Sequence, residues 1–219
     1  TSIAASVFSM IFWSFGFLRM GTVGMIAQAH GSKDYQEILN IFLRNIAFVI
    51  IISLLLVFFQ GYLFQISLSI FDLSFETKKF FKDYFNLRIY SSFGELTIFV
   101  ITGLFIGLQK TKTSSIIIGF FSIANILFSL FFVLYLNLNV QGVALGTLVS
   151  SSLTTIIFLF YTFFDLNKFV QLEFNTQKIF NFNKIKNIFN INFNIFIRSI
   201  FLTFAFLYFT YLGNSISEE

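Results

Sequence analysis

Little in this chain can do chemistry, because only 11% of its residues are charged and it carries one His and no Cys. Glu95 stands out among the ionisable groups. It shares the apolar stretch 84–112 with Arg88, and that stretch ends on Gly103, Gly107, Gln109, Lys110 and Lys112. A buried acid has its uncharged form favoured, so a carboxylate there can take and release a proton. It can equally neutralise a base. Arg88 lies seven residues earlier, about two helical turns along the same face, and Arg19 lies on another apolar run. The residues leave both readings open. Arg19, Arg88 and Arg198 are the basic groups set among apolar residues that could hold cavity anions or lipid headgroups, although an Arg near a helix end more often snorkels or braces a neighbour.

Other chemistries find no support. With no Cys there is no disulfide, no thiol catalysis and no thiolate metal ligand, and the redox compartment is left undetermined. His30, beside Gly31, has no second His to join it, so no metal site is expected. No G-x-x-x-x-G-K-[ST] loop is present and no Ser/His/Asp set can be assembled, so the chain reads as a non-enzyme without cofactors.

The elements that must position these residues follow from composition. With 57% hydrophobic residues and a mean hydropathy of +0.84, 219 residues cannot dress a soluble domain with a normal polar surface. The chain reads as an all-α, multi-pass integral membrane protein, because its apolar runs exceed about 20 residues and lack the alternation of barrel strands. Its 37 Phe and absent Pro carry no functional weight here. Expected spans are 3–29, 38–70, 84–109, 114–136 and 142–166, with a sixth from 191 to 213. As one helix, 84–109 is roughly 39 Å long against a hydrocarbon core of roughly 30 Å, which puts Glu95 near mid-depth. The segment 72–82 is expected as a charged loop.

Segment 167–190 interleaves Lys168, Lys178, Lys184 and Lys186 with Asn and apolar residues, and Phe182, Ile185, Ile188 and Phe189 recur at helical spacing. It reads as an amphipathic interfacial connector rather than a nucleic-acid arm, since no dense Lys/Arg cluster is present. Alternate loops place Lys33, Lys110, Lys112, Lys168, Lys178, Lys184 and Lys186 on one side and Lys78, Lys79 and Lys82 on the other. The first side is expected to be cytoplasmic, in a cell inner (plasma) membrane. Thr1 then begins outside, which implies a missing upstream span, so the chain reads as a fragment. Gly103 with Gly107 and Gly142 with Gly146 read as G-x-x-x-G, and packing within the bundle is their plainest use. Gln28, Gln109 and Asn125 read as interhelical hydrogen-bonding groups.

The stretch 17–29 (FLRMGTVGMIAQA), the run 103–109 (GLFIGLQ), Asn125 with Ile126, the run 139–147 (NVQGVALGT), and Ile197, Arg198 and Ser199 together resemble the multidrug and toxic compound extrusion (MATE) transporters, in particular the DinF-like branch. The resemblance implies a twelve-helix carrier of two six-helix lobes that exports cationic or amphipathic compounds by alternating access in exchange for H⁺ or Na⁺. On that frame 1–166 is the first lobe without its first helix, 167–190 the cytoplasmic inter-lobe connector and 191–219 the start of the second lobe, in a monomer whose partners are a small-molecule substrate and membrane lipid, not nucleic acid. The resemblance further implies an ion site in which Asn125 and Thr147 match family positions. Where the family has an acid, four residues after Asn125, stands Ser129, which cannot titrate in range; Glu95 is the candidate to share that role. A lipid-linked oligosaccharide or polysaccharide flippase of the same superfamily is the competing reading, and a structural membrane protein the third.

Overall fold

The computed structural model describes residues 2–70, 75–168, 179 and 181–217. Among them every regular element is helical. These are α1 (Ser2–Ser14), α2 (Phe17–Gly31), α3 (Tyr35–Phe58), α4 (Gln60–Ile70), α5 (Phe75–Arg88), α6 (Ser92–Gly107), α7 (Thr111–Leu130), α8 (Asn139–Leu166) and α9 (Phe182–Ser217). Five stretches are long and apolar enough to cross a membrane: Ala5–Gly31, Tyr35–Phe58, Lys78–Gly107, Thr111–Tyr135 and Asn139–Leu166. The protein is an all-α, multi-pass membrane bundle.

Most of these stretches depart from a plain α-helix somewhere, and with no Pro in the chain the cause lies elsewhere. Between α1 and α2 the N–H groups of Phe15 and Gly16 donate to the carbonyls of Phe12 and Trp13 at 3.0 Å, an i→i−3 tightening. The expected span 38–70 is interrupted at Phe59; as one helix it would be roughly 50 Å long, far more than a bilayer needs. A 3₁₀ turn, Ile89–Ser91, separates α5 from α6, and a π-helical turn, Phe131–Tyr135, follows α7. The segment 72–82 is corrected in part, because α5 begins at Phe75 and Lys78, Lys79 and Lys82 are helical; at a membrane surface water satisfies the open N–H groups of a first turn, and the exposed Lys side chains keep their ammonium groups in it. Residues 71–74 lie outside the described set.

The expected connector, 167–190, is described only in part. Residues 182–190 are the opening turns of α9, continuous with the following helix, with Ile188 buried and Phe182 and Phe189 exposed. Residues 169–178 and 180, Lys178 among them, lie outside the described set.

Two turns on the lysine-rich side end in the same way. Lys33 (φ 58°) and Gln109 (φ 61°) take the left-handed conformation, and the next residue reaches back, Asp34 N–H to the Ala29 carbonyl at 2.9 Å and Lys110 N–H to the Phe105 carbonyl at 2.8 Å. This geometry closes helices usually at Gly, so both turns carry a modest strain. Asp34 then caps α3 by accepting the Glu37 N–H at 3.0 Å.

The centre of the bundle is α6, whose Leu96, Val100, Ile101, Leu104 and Phe105 are fully buried between α2, α3, α7 and α8. Lipid is as apolar as Leu, so close backbone approach has to hold such helices together. A Cβ on Gly103 would lie 2.8 Å from the Arg19 carbonyl, and one on Gly107 2.7 Å from Ile26 Cβ. Gly146 meets Ser129 on α7 in the same way, at 2.3 Å from its Oγ. Both G-x-x-x-G pairs are therefore contacts inside the bundle.

Candidate functional site

Arg88 ends α5 and Glu95 sits in the first turn of α6, with the 3₁₀ turn between them. That turn keeps the two side chains on one face, where Arg88 Nη1 donates to Glu95 Oε1 and to Ser91 Oγ. The Ser91 hydroxyl lies 2.9 Å from Glu95 Oε1 and 2.6 Å from the Arg88 carbonyl oxygen. Both charged side chains are largely buried, at 10% and 13% exposure. The guanidinium lies over Phe12 and Phe8 of α1, 4.9 and 5.4 Å from the ring centroids. Phe8 packs in turn on Tyr84 and Phe85 of α5. Arg88 is thus held by a carboxylate, a hydroxyl and two ring faces, which replace the water it loses on burial.

A second set of contacts fixes where Glu95 can be. Gly94 faces α8 so closely that a Cβ would lie 2.7 Å from Ser151 Oγ and 3.0 Å from the Ser151 carbonyl carbon. Thr155 Oγ1 donates to the Gly94 carbonyl at 3.0 Å. The buried face of α8 continues this polar character through Thr147, Ser150, Ser151, Thr154, Thr155 and Thr162. Most of these hydroxyls bond their own helix one turn back, which lets small polar groups sit in an apolar interior at little cost.

The other sequence candidates fall at separate places. Asn125 Oδ1 accepts from Ser129 Oγ at 3.2 Å, and Ser129 packs on Gly146, the neighbour of Thr147. Thr147 is buried and its hydroxyl donates to the Val143 carbonyl at 3.1 Å. Asn125 and Thr147 therefore belong to one α7–α8 seam, whereas Glu95 belongs to α5, α6 and α1. Among the described residues no hydrogen bond or ion pair joins Glu95 to either. Arg19 is exposed, with its guanidinium 5.9 Å from the Phe99 ring centroid rather than beside Glu95, and Arg198 is exposed on α9. Gln28 and Gln109 are exposed, which corrects the expectation that they bond between helices; each lies on the outward side of its helix end, although Ala29 and Gly107 close by are buried. His30 packs edge-on against Tyr35 at 6.3 Å, and the described residues contain no group of His, Cys, Asp and Glu that could hold a metal.

Two charged clusters escaped the sequence reading. Arg44 of α3, 4% exposed, donates from Nη1 to Glu37 Oε1 at 2.9 Å and from Nε to the Ile179 carbonyl at 2.7 Å, while Lys184 Nζ of α9 reaches the same Glu37 oxygen at 3.1 Å. Across the bundle Lys110 Nζ donates to Asp165 Oδ2, with Lys168 Nζ 3.8 Å from Oδ1. The seven-residue spacing of Glu37 and Arg44 was a usable signal, the same as for Arg88 and Glu95. Partners 135 and 147 residues away were not.

The family model MatE matches residues 1–131, more than half of the chain. The chain belongs to the MatE family. This MatE chain is 24% identical over 221 residues to the DNA damage-inducible protein F of Escherichia coli (strain K12), an alignment that covers all of the chain and 47% of that protein. The chain thus spans about half the length of the curated relative it matches. Among solved structures it overlays with a TM-score of 0.79 on an outward-facing multidrug resistance MATE family transporter of the MOP superfamily, at 18% identity, over 93% of this chain and 46% of that one. A MOP superfamily transporter from Pyrococcus furiosus Vc1 (DSM3638), described as having a reversed binding-pocket polarity, also overlays at 0.79 and 18% identity, over 94% and 46%. At these identities the solved structures show the fold alone.

Proposed function

We propose that this chain forms part of a secondary active antiporter in the cell's inner membrane, which exports cationic or amphipathic compounds in exchange for H⁺ or Na⁺. The observation that carries the reading is the Arg88 and Glu95 pair, largely buried within the span Lys78–Gly107. Charge inside a span is costly, and where it occurs it commonly marks an ion or substrate path. Neutralising Glu95 with a proton, or competing for it with Na⁺, would leave Arg88 held by Ser91 and the faces of Phe8 and Phe12 alone. The contact between α1 and the junction of α5 with α6 would loosen as a result. Ion binding at Glu95 thereby gains a mechanical consequence, which is what coupling requires. Asn125 and Thr147, on the separate α7–α8 seam, offer oxygen ligands and hydrogen-bonding groups rather than a titrating group.

A flippase for lipid-linked oligosaccharides is the second reading, favoured by Arg19 and Arg198, both exposed and neither in an ion pair among the described residues. Proteoliposomes of the full-length protein separate the two. Antiport predicts that a cationic dye added on one side triggers release of H⁺ or Na⁺ from the other, and that Glu95→Gln loses most of that release while still inserting normally. Unchanged dye-driven exchange in Glu95→Gln would remove Glu95 from the coupling. Flipping of a phosphate-linked lipid with no dye response would favour the flippase.

A further inference from the structure

The seam between α9 and the first two membrane stretches contains both a fastening and a fault. The fastening is polar and lies at the lysine-rich end: Arg44 holds the Ile179 carbonyl at 2.7 Å, and Lys184 reaches Glu37 at 3.1 Å. The fault lies two turns further along α9. There Asn192, 2% exposed, fills a notch over Gly21 in which a Cβ would lie 2.1 Å from Asn192 Oδ1, and neither its Oδ1 nor its Nδ2 has a hydrogen-bond partner. Rings pack on either side, Phe196 on Phe17 at 5.6 Å and Phe189 on Phe48 at 6.2 Å.

Buried amides are nearly always bonded, and one that is not opposes the contact that buries it. The fastening opposes it in turn, and one leg of that fastening is the half-exposed Lys184, a kind of ion pair that holds only weakly. A contact held by a weak polar tie against an unsatisfied amide has two nearby states. We propose that this seam is a releasable latch: closed, Glu37 and Arg44 of α3 hold Lys184 of α9 and the Ile179 carbonyl just ahead of it, with Asn192 seated over Gly21 of α2; open, it gives the Asn192 amide the water or polar partner that it lacks. Its role in alternating access rests on the transport reading above, but its opening does not.

This chain has no Cys, so once any other thiol of the full-length protein is replaced an introduced one reports alone. With Ile195→Cys as reporter beside the notch, maleimide labelling of the full-length protein in vesicles measures opening. Lys184→Gln removes one leg and should speed labelling by about two- to fivefold, the range a lost surface ion pair allows. Asn192→Leu keeps the shape and removes the unsatisfied amide, so it should slow labelling by about fivefold or more. The opposite signs are the test. If Asn192→Leu speeds labelling, or if neither change moves it, the seam is a fixed contact and the latch is wrong.

Gly21→Cys with Asn192→Cys supplies a second readout, since a Cβ at Gly21 would lie 3.2 Å from the present Asn192 Cγ, within reach of a disulfide. Oxidation should stop dye-driven exchange and reduction should restore it. Exchange that continues at full rate in the oxidised protein would overturn the latch. If the unsubstituted protein shows no exchange at all, the transport reading fails, and the labelling signs still decide whether the seam opens.

Discussion

Two acid and base pairs in this protein have the same spacing and different fates. Glu37 and Arg44 stand seven apart on α3; Arg88 and Glu95 stand seven apart across the junction of α5 and α6. The first pair opens outward, to the Ile179 carbonyl and Lys184 more than a hundred residues away. The second is closed on itself and roofed by Phe8 and Phe12 of α1. Place along the span goes with the difference: Glu37 lies in the opening turn of Tyr35–Phe58, whereas Arg88 and Glu95 lie midway in Lys78–Gly107. Near the end of a span a charged pair can recruit further polar partners and join distant segments, whereas midway along one it must be satisfied by what one apolar neighbourhood can offer. Identical spacing therefore makes a joint in one place and an isolated charge site in the other.

That contrast can be broken most directly at the buried pair. Arg88→Gln strands Glu95 and should destabilise the protein by about 3–5 kcal/mol, as thermal unfolding in detergent would show, with Glu95→Gln in the same chain recovering much of the loss. A loss no greater than that of a surface pair would mean that water reaches the site and that place along the span is not what separates the two. Gly94→Ala tests the frame that places Glu95. The added methyl meets Ser151 side chain and backbone within 3.0 Å, so a cost of about 1–3 kcal/mol is expected, with altered coupling even though no charge is touched. The contact of Glu37 with the half-exposed Lys184 should answer least. Lys184→Gln should cost about 0.2–1 kcal/mol, an effect that shrinks further in high salt, whereas the effect of Arg88→Gln should hardly depend on salt.

The legible part of the fold was set by free energies of transfer. Long apolar runs without alternation can only be spanning helices, and the charged and Gly-containing turns at Lys33 and Lys110 mark where they stop. Less legible were the interruptions at Phe15, Phe59, Ile89 and Phe131, because no Pro announces them and each depends on what packs alongside. The extension of α5 back to Phe75 was hidden for a different reason: a charged stretch at a membrane surface is equally compatible with loop and helix. For the candidate site, the Glu95 and Arg88 partnership was one of two readings open from spacing alone, and the structure shows that contact. Gln28 and Gln109 were misplaced because position along a helix does not say which way its end faces.

Sequence alone determined that this is a polytopic helical membrane protein, that these 219 residues hold no Cys and one His, and that the ordered runs from Phe17 to Ser199 resemble one transporter family. Each of these follows from residue type and order, which need no partner to have their effect. Tertiary structure decided that Arg88 is caged by α1, that Gly94 and Thr155 set the position of Glu95, and that α9 is tied to α3 through Glu37 while Asn192 is left unsatisfied over Gly21. Those facts depend on contacts between residues far apart in the chain, and such contacts exist only once the helices have chosen their neighbours.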